Sequence, residues 1–194
     1  MAQLEDIITS RVRVKILELF LSDPRELYHV RGVVREIKEE INAVRRELDR
    51  FEKAGLLKKE SRGNRLYYWV RHDYPFFGDL VSIVAKTTGL GAEIISNKSK
   101  IGKINFVMFS GRFVRRKDEK KEDAVDILVV GDIVLPELAA VIRKEETKRG
   151  KEINYTVMSK EELDFRKKRR DPFLLSILLG SRVMIIGDEE DLIS

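Results

Sequence analysis

The feature that most constrains this chain is a change of hydrophobic period at Gly55. Before it, Ile41, Val44, Leu48 and Phe51 recur at spacings of three and four, which puts them on one side of a helix over residues 39–54. After it, Leu56 to Glu60 and Leu66 to Val70 follow the period of two that strands show, around the turn Ser61-Arg62-Gly63-Asn64-Arg65. A one-sided helix and a hairpin cannot bury their apolar sides alone. Two segments upstream can cover them. Ser10 is placed to cap a helix through residue 21 with Val12, Ile16, Leu19 and Phe20 inward, and Ser22-Asp23-Pro24 ends it. A second helix fits residues 28–36, with Val30, Val33, Val34 and Ile37 inward.

Charge is spread unevenly along the 194 residues, whose net charge is +5. Residues 11–71 hold 16 basic and 10 acidic side chains, a balance of +6, whereas residues 72–194 hold 22 and 21. The first third is therefore where a polyanion would dock. On the outer side of the helix at 39–54 stand Asn42, Ala43, Arg45, Arg46, Asp49 and Arg50. Asn pairs bidentately with adenine and Arg with guanine, so Asn42, Arg45 and Arg46 are the candidates for reading bases. Arg62, Asn64 and Arg65 in the turn suit phosphates, which attract cations without a sequence code. A solvated amphipathic helix would carry the same residue types. Helix, hairpin and local charge taken together favour DNA.

The run INAVRRELDRFEKAGLLKKESRGNRLYYWV resembles the recognition helix and wing of the ArsR and MarR classes of transcription regulators. In those families an apolar-spaced helix with Arg-Glu-Leu leads through Ala-Gly-Leu into a wing that carries Gly and ends in aromatic residues. The resemblance implies a winged helix-turn-helix domain over residues 1–75, with the helix at 39–54 in the major groove of double-stranded DNA and the hairpin on backbone or minor groove. It also implies a homodimer, for which the helix expected at 77–87, with Leu80, Val81, Val84 and Ala85 inward, is the candidate interface. His29 and His72 have no cysteine partners and are read as packing or backbone contacts rather than metal ligands. The absence of cysteine excludes disulfides, thiolate zinc sites and cysteine nucleophiles. No apolar run approaches the roughly 18 to 20 residues that span a bilayer, and the first residues do not read as a signal peptide. The expectation is a cytoplasmic protein with no membrane partner.

Asp73-Tyr74-Pro75 closes the hairpin region and marks an expected boundary, leaving residues 76–194 as a second domain. Strand-like runs at 104–109, 124–130, 153–158 and 182–186 alternate with helical stretches at 136–150, 161–170 and 172–179. This predicts a small sheet flanked by helices, and for the whole chain a two-domain α+β or α/β protein. The stretches FVMFSGRFVRRKDEKKEDAVDILVVGD and INYTVMSKEELDFRKKRRDPFLLSILLGSRVMIIGD resemble the minimal nucleotidyltransferases of the DNA polymerase beta type. That family's pattern is a strand ending in Gly-Ser, a basic loop, a strand with Asp-x-Asp and a third strand bearing another acid. Here Asp126 takes the second Asp-x-Asp place but Ala124 the first, and no acid lies within 153–158. A two-metal clamp on phosphates needs several carboxylates on one face.

The expectation is thus a nucleotidyltransferase-like domain without transfer activity, with Asp126 paired to a basic neighbour such as Arg112. No cofactor is expected, and Mg2+ enters only if the chain is an active enzyme. Ser110 and Gly111 can present backbone N–H groups to a phosphate, which makes Ser110, Gly111, Arg112 and Asp126 the candidate nucleotide site. A strand-ending turn uses the same residues. The basic run Arg115 to Lys121 is a solvated loop or, as the resemblance implies for an active relative, lies near the nucleotide, and the run Arg166 to Arg170 is a solvated helix end, an extension of the DNA footprint or a contact for another acidic partner. Three functions compete: a sequence-specific transcription regulator whose second domain dimerises, binds a protein partner or senses a ligand such as a nucleotide; a metal-dependent nucleotidyltransferase acting on a protein or small molecule; and a winged-helix protein-interaction module. The +6 balance and the outward Asn42, Arg45 and Arg46 favour the first.

Overall fold

The computed structural model describes residue 4 and residues 8–115 and 124–194; Asp123 and the basic residues 116–121 lie outside the described residues. The chain mixes helices and strands and divides into two compact units, residues 1–87 and 88–194, each with its own sheet.

In the first unit, α1 (Arg11–Ser22) starts where the Ser10 hydroxyl accepts the Arg13 N–H. Its buried residues are Val14, Ile16, Leu17, Phe20 and Leu21, while Val12 and Leu19, expected inward, are half-buried. Three helices contact α1, so its buried face is wider than a single stripe and its centre is rotated. The first turn expected of the second helix is instead the short strand β1 (Tyr28–His29). α2 (Val30–Ile37) begins beyond it, capped by His29, whose Nδ1 accepts the Gly32 N–H at 2.7 Å. α3 (Ile41–Lys53) buries Val44 and Leu48 completely, with Ile41 and Phe51 half-buried at its ends.

Gly55, at φ +83, turns the chain out of α3 into β2 (Leu57–Arg62), which pairs antiparallel with β3 (Arg65–Val70). Only Gly63 and Asn64 connect the two strands, because Arg62 and Arg65, expected in the turn, face each other as the last pair of the ladder. Gly63 has φ +57, the conformation a two-residue hairpin demands at that place. β1 completes a sheet of order β1-β3-β2 by pairing Tyr28 with Tyr68 and His29 with Tyr67. α4 (Phe77–Thr87) buries Phe77, Val81 and Val84 and packs on α1, so the first compact unit extends through this helix.

The second unit runs α5 (Gly89–Ser96), α6 (Lys98–Ile101), β4 (Gly102–Ser110), α7 (Gly111–Val114), β5 (Ile127–Ile133), α8 (Leu135–Arg149), β6 (Tyr155–Met158), α9 (Lys160–Lys168), α10 (Pro172–Leu178), β7 (Arg182–Ile186) and α11 (Glu189–Ile193). Its sheet has the order β6-β5-β4-β7, with β4 antiparallel to β5 and β7 and β5 parallel to β6. The parallel pair needs a crossover, which α8 supplies. Phe106, Met108, Leu128 and Val130 pack on one face with Met158, Leu163, Leu174, Ile177 and Leu192. Alternation sends Val107, Phe109, Ile127 and Val129 to the other face, where all four are buried. Burial on both faces is why these strands read as unbroken apolar runs. β5 begins later than expected, after Asp126, whose N–H and C=O bond to the Asn154 carbonyl (2.7 Å) and the Ser110 N–H (2.8 Å).

Two positions make the packing testable. Burial, reinforced by the Asp49 carboxylate that accepts its hydroxyl at 3.3 Å, pushes the Tyr68 phenol up to about 12. The folded chain then holds this proton more tightly than the unfolded chain, where it titrates near 10. The resulting stability is fully present below about pH 10 and is lost as pH rises through about 12. Denaturation followed across that window should show the loss, and Tyr68→Phe should remove the tyrosine's share of it. At Gly131, φ is +147 and an added Cβ would collide with the Lys103 carbonyl where β4 shifts register between Ile104 and Phe106. Gly131→Ala should therefore lower unfolding stability by about 1–3 kcal/mol, read from its denaturant midpoint.

Candidate nucleic-acid interface

The geometry of α3 begins with Glu40, whose two carboxylate oxygens accept the N–H groups of Asn42 and Ala43 at 2.8 Å each. These two bonds, aided by the charges of Arg46 and Arg45, hold its carboxyl below the usual range. Glu47 then receives Arg13 of α1 through two contacts of 2.9 and 3.2 Å. Lys15 of α1 reaches the Ile37 carbonyl (2.9 Å) and Glu39 (2.5 Å), tying α1 to the turn before α3. With Val44 and Leu48 inward and Glu47 tied, the rotation of α3 about its axis has no freedom left. Asn42, Arg45 and Arg46 are exposed on its outer side, as their spacing predicts. Among the described residues, neither Arg45 nor Arg46 is held in an ion pair.

The hairpin is fastened to α3 by residues that composition did not single out. Lys59 lies 3.2 Å from Glu52 and 3.9 Å from Asp49, and Tyr68 donates to the same Asp49. Asp49 thus serves to attach the hairpin, and its cross-element partners could be found only by knowing the β2–β3 register. At the tip, Arg62, Asn64 and Arg65 are exposed. Arg62 pairs with Glu60 at 2.7 Å and lies 5.7 Å over the Tyr67 ring. An exposed pair of this kind is worth about 0–1 kcal/mol, so the guanidinium can exchange Glu60 for a phosphate at little cost.

On the sheet face turned away from Lys59 and Tyr68, which also carries Glu60, Arg62 and Tyr67, a groove of about 370 Å3 is lined by Leu27, Lys58, Trp69, Arg71 and His72, among others. Lys58 and Trp69 are direct cross-strand partners. Arg71 binds Asp73 at 2.7 Å and 3.0 Å, and this bond holds the Asp73 carboxyl down at about 2. His72 stacks on Phe77, 4.9 Å between ring centres, with Nε2 3.0 Å from the Pro24 carbonyl.

The four candidate nucleotide residues of the second unit do come together, but as a closed hydrogen-bonded corner. Arg112 reaches Asp126 at 2.8 Å and the Ala124 carbonyl at 3.0 Å. The second oxygen of Asp126 accepts the Asn154 N–H at 3.1 Å. The Ser110 and Gly111 N–H groups, expected to face a phosphate, donate to the carbonyls of Asp126 (2.8 Å) and Ser181 (2.6 Å). The Ser110 hydroxyl accepts the Phe113 N–H and so starts α7. Gly111 is pressed against Ser181 so closely that a Cβ would collide with it, which gives that glycine a packing reason. Among the described residues, no group of three or more His, Asp or Glu side chains is placed to hold a metal ion. No described helix is long and apolar enough to cross a membrane.

Comparison with known protein families, with curated proteins and with solved structures finds no match to this chain.

The corner itself can be measured. Asp126→Ala would remove one acceptor from the half-buried Arg112 guanidinium and the acceptor of the Asn154 N–H, and should cost about 1–3 kcal/mol in urea unfolding. Asp126→Asn keeps one acceptor and should cost less. An unchanged midpoint in both would mean that the pair contributes nothing net.

Proposed function

We propose that the first unit is a winged helix-turn-helix that binds double-stranded DNA, and that the chain is a sequence-specific transcription regulator. In this reading α3 enters the major groove, Asn42, Arg45 and Arg46 meet base edges, and Arg62, Asn64 and Arg65 hold the adjacent backbone. The observation that carries it is the outer face of α3. That face is fixed in rotation by Val44, Leu48 and Glu47, and it presents an amide and two guanidiniums with no acid bound to them among the described residues. The helix that carries these donors is already ordered, so docking has to order only their side chains. The +6 balance of residues 11–71 supports the same partner. A dimer reading two half-sites fits the resemblance to ArsR and MarR regulators.

The second unit is proposed to be a nucleotidyltransferase-like domain without transfer activity. Both oxygens of Asp126 are engaged by Arg112 and the Asn154 N–H, and position 124 is alanine, which supports a structural use of this carboxylate.

Selection of bound sequences from random duplex DNA should return a defined site. On that site Asn42→Ala or Arg46→Ala should lose about 1–3 kcal/mol, with little loss on random duplex. Arg62→Ala with Arg65→Ala should weaken binding to both and lower the slope of log affinity against log salt by about one per lost phosphate contact. No enriched site, or equal losses on site and random duplex, would remove α3 from base reading.

A further inference from the structure

In the second unit the corner between α9 and α10 carries an arrangement that the DNA reading of the first unit does not use. Leu163, Leu174 and Ile177 anchor the two helices in the core of the sheet. Asp171 caps α10 by accepting the Leu174 N–H at 3.0 Å, and Arg166 locks the corner by reaching both Glu162 (2.8 Å) and Asp171 (3.2 Å). On this rigid base two aromatic rings face solvent: Phe165 is 56% exposed and Phe173 41%. Each carries a guanidinium over its face, Arg169 at 4.6 Å from the Phe165 centroid and Arg166 at 5.8 Å from that of Phe173.

The charges around the rings are not all compensated. Arg166 is neutralised by its two carboxylates, and Lys167 donates to the Ser194 carbonyl at 2.7 Å. Among the described residues, Lys168, Arg169 and Arg170 have no carboxylate partner, and all three are exposed. Two open rings beside three uncompensated cations present stacking surface and phosphate-binding charge on one rigid corner.

We propose that this α9–α10 corner binds single-stranded nucleic acid. Unpaired bases stack on Phe165 and Phe173, and the adjoining phosphates meet Lys168, Arg169 and Arg170. Base stacking on aromatic side chains beside a cationic track is the general basis of single-strand binding. A duplex satisfies only the charges, because its bases are already stacked and paired. A membrane is the poorer partner, since seating the rings in hydrocarbon would drag the guanidiniums that lie on them out of water. The site uses none of the residues proposed to read duplex DNA, so either proposal can fail without the other.

The test uses the full chain and fluorescence anisotropy with labelled oligothymidine and oligouridine of about 12 nucleotides, a length within the usual single-strand site sizes. Phe165→Ala with Phe173→Ala should weaken binding of at least one of the two strands by about tenfold or more, while Phe165→Tyr with Phe173→Tyr should retain it. Lys168→Gln with Arg170→Gln should lower the salt slope of single-strand binding. The two ring substitutions should not alter affinity for a duplex of the same length, whose bases are already stacked, whereas the cation pair can contribute to both through the phosphates. If the alanine pair lowers the thermal midpoint, the tyrosine pair and the Lys168 and Arg170 substitutions decide. Unchanged single-strand binding in the alanine ring variant or in the cation variant would overturn the proposal, as would an equal loss on duplex in the alanine ring variant. Binding to vesicles of phosphatidylserine and phosphatidylcholine that depends on the two rings, with no oligonucleotide binding, would also overturn it.

Discussion

Complete burial of Val44 and Leu48 is the constraint on which the first unit depends. Two residues four apart define one line along a helix, and once that line is against the core the opposite side must face water. The ion pairs at the edges of α3 then remove the remaining rotation. Arg13 meets Glu47 on one side, while Lys59 and Tyr68 meet Asp49 and Glu52 on the other. Any rolling of α3 would strip partly buried charges of their partners, a cost larger than most surface contacts could return. The exposure of Asn42, Arg45 and Arg46 and the attachment of the β2–β3 hairpin are both consequences of that arrangement.

The second unit solves a different problem, because its central strands β4 and β5 are covered on both faces. A sheet buried in this way leaves polar chemistry only at strand ends and connections, and the Arg112–Asp126 corner occupies such a place. There the carboxylate joins a half-buried guanidinium to a main-chain N–H of the β6 approach. A carboxylate used for that purpose is not available to a cation. The same logic applies to Glu145, a buried acid on α8, which pairs with Arg149 at 2.7 Å, and that guanidinium in turn lies 4.2 Å over the Phe113 ring. In both places an acid in this unit works inside the fold.

Where sequence periodicity was strong, elements were legible almost to the residue. α3, the two hairpin strands, α4 and β7 all lie within a residue or two of the positions that hydrophobic spacing predicts. The misses share one cause, which is a pairing or packing partner that hydrophobic spacing along the chain does not name. Tyr28 and His29 leave the second helix because Tyr67 and Tyr68 offer them a strand to pair with. Arg62 and Arg65 leave the turn because they are paired with each other, and Val12 and Leu19 yield the centre of the buried face because α2, α3 and α4 all pack on α1.

The sequence by itself determined which residues of α3 face outward, the concentration of positive charge in residues 11–71, and the lack of an acid at position 124. These depend on helical spacing, composition and identity, all of which are local. Only the tertiary structure decided that the Ser110 and Gly111 N–H groups are consumed by carbonyls of Asp126 and Ser181, that Asp49 fastens the hairpin, and that Phe165 and Phe173 stay exposed under guanidiniums. Hydrogen-bond satisfaction and burial depend on which residues meet across the fold, and no periodicity along the chain records that.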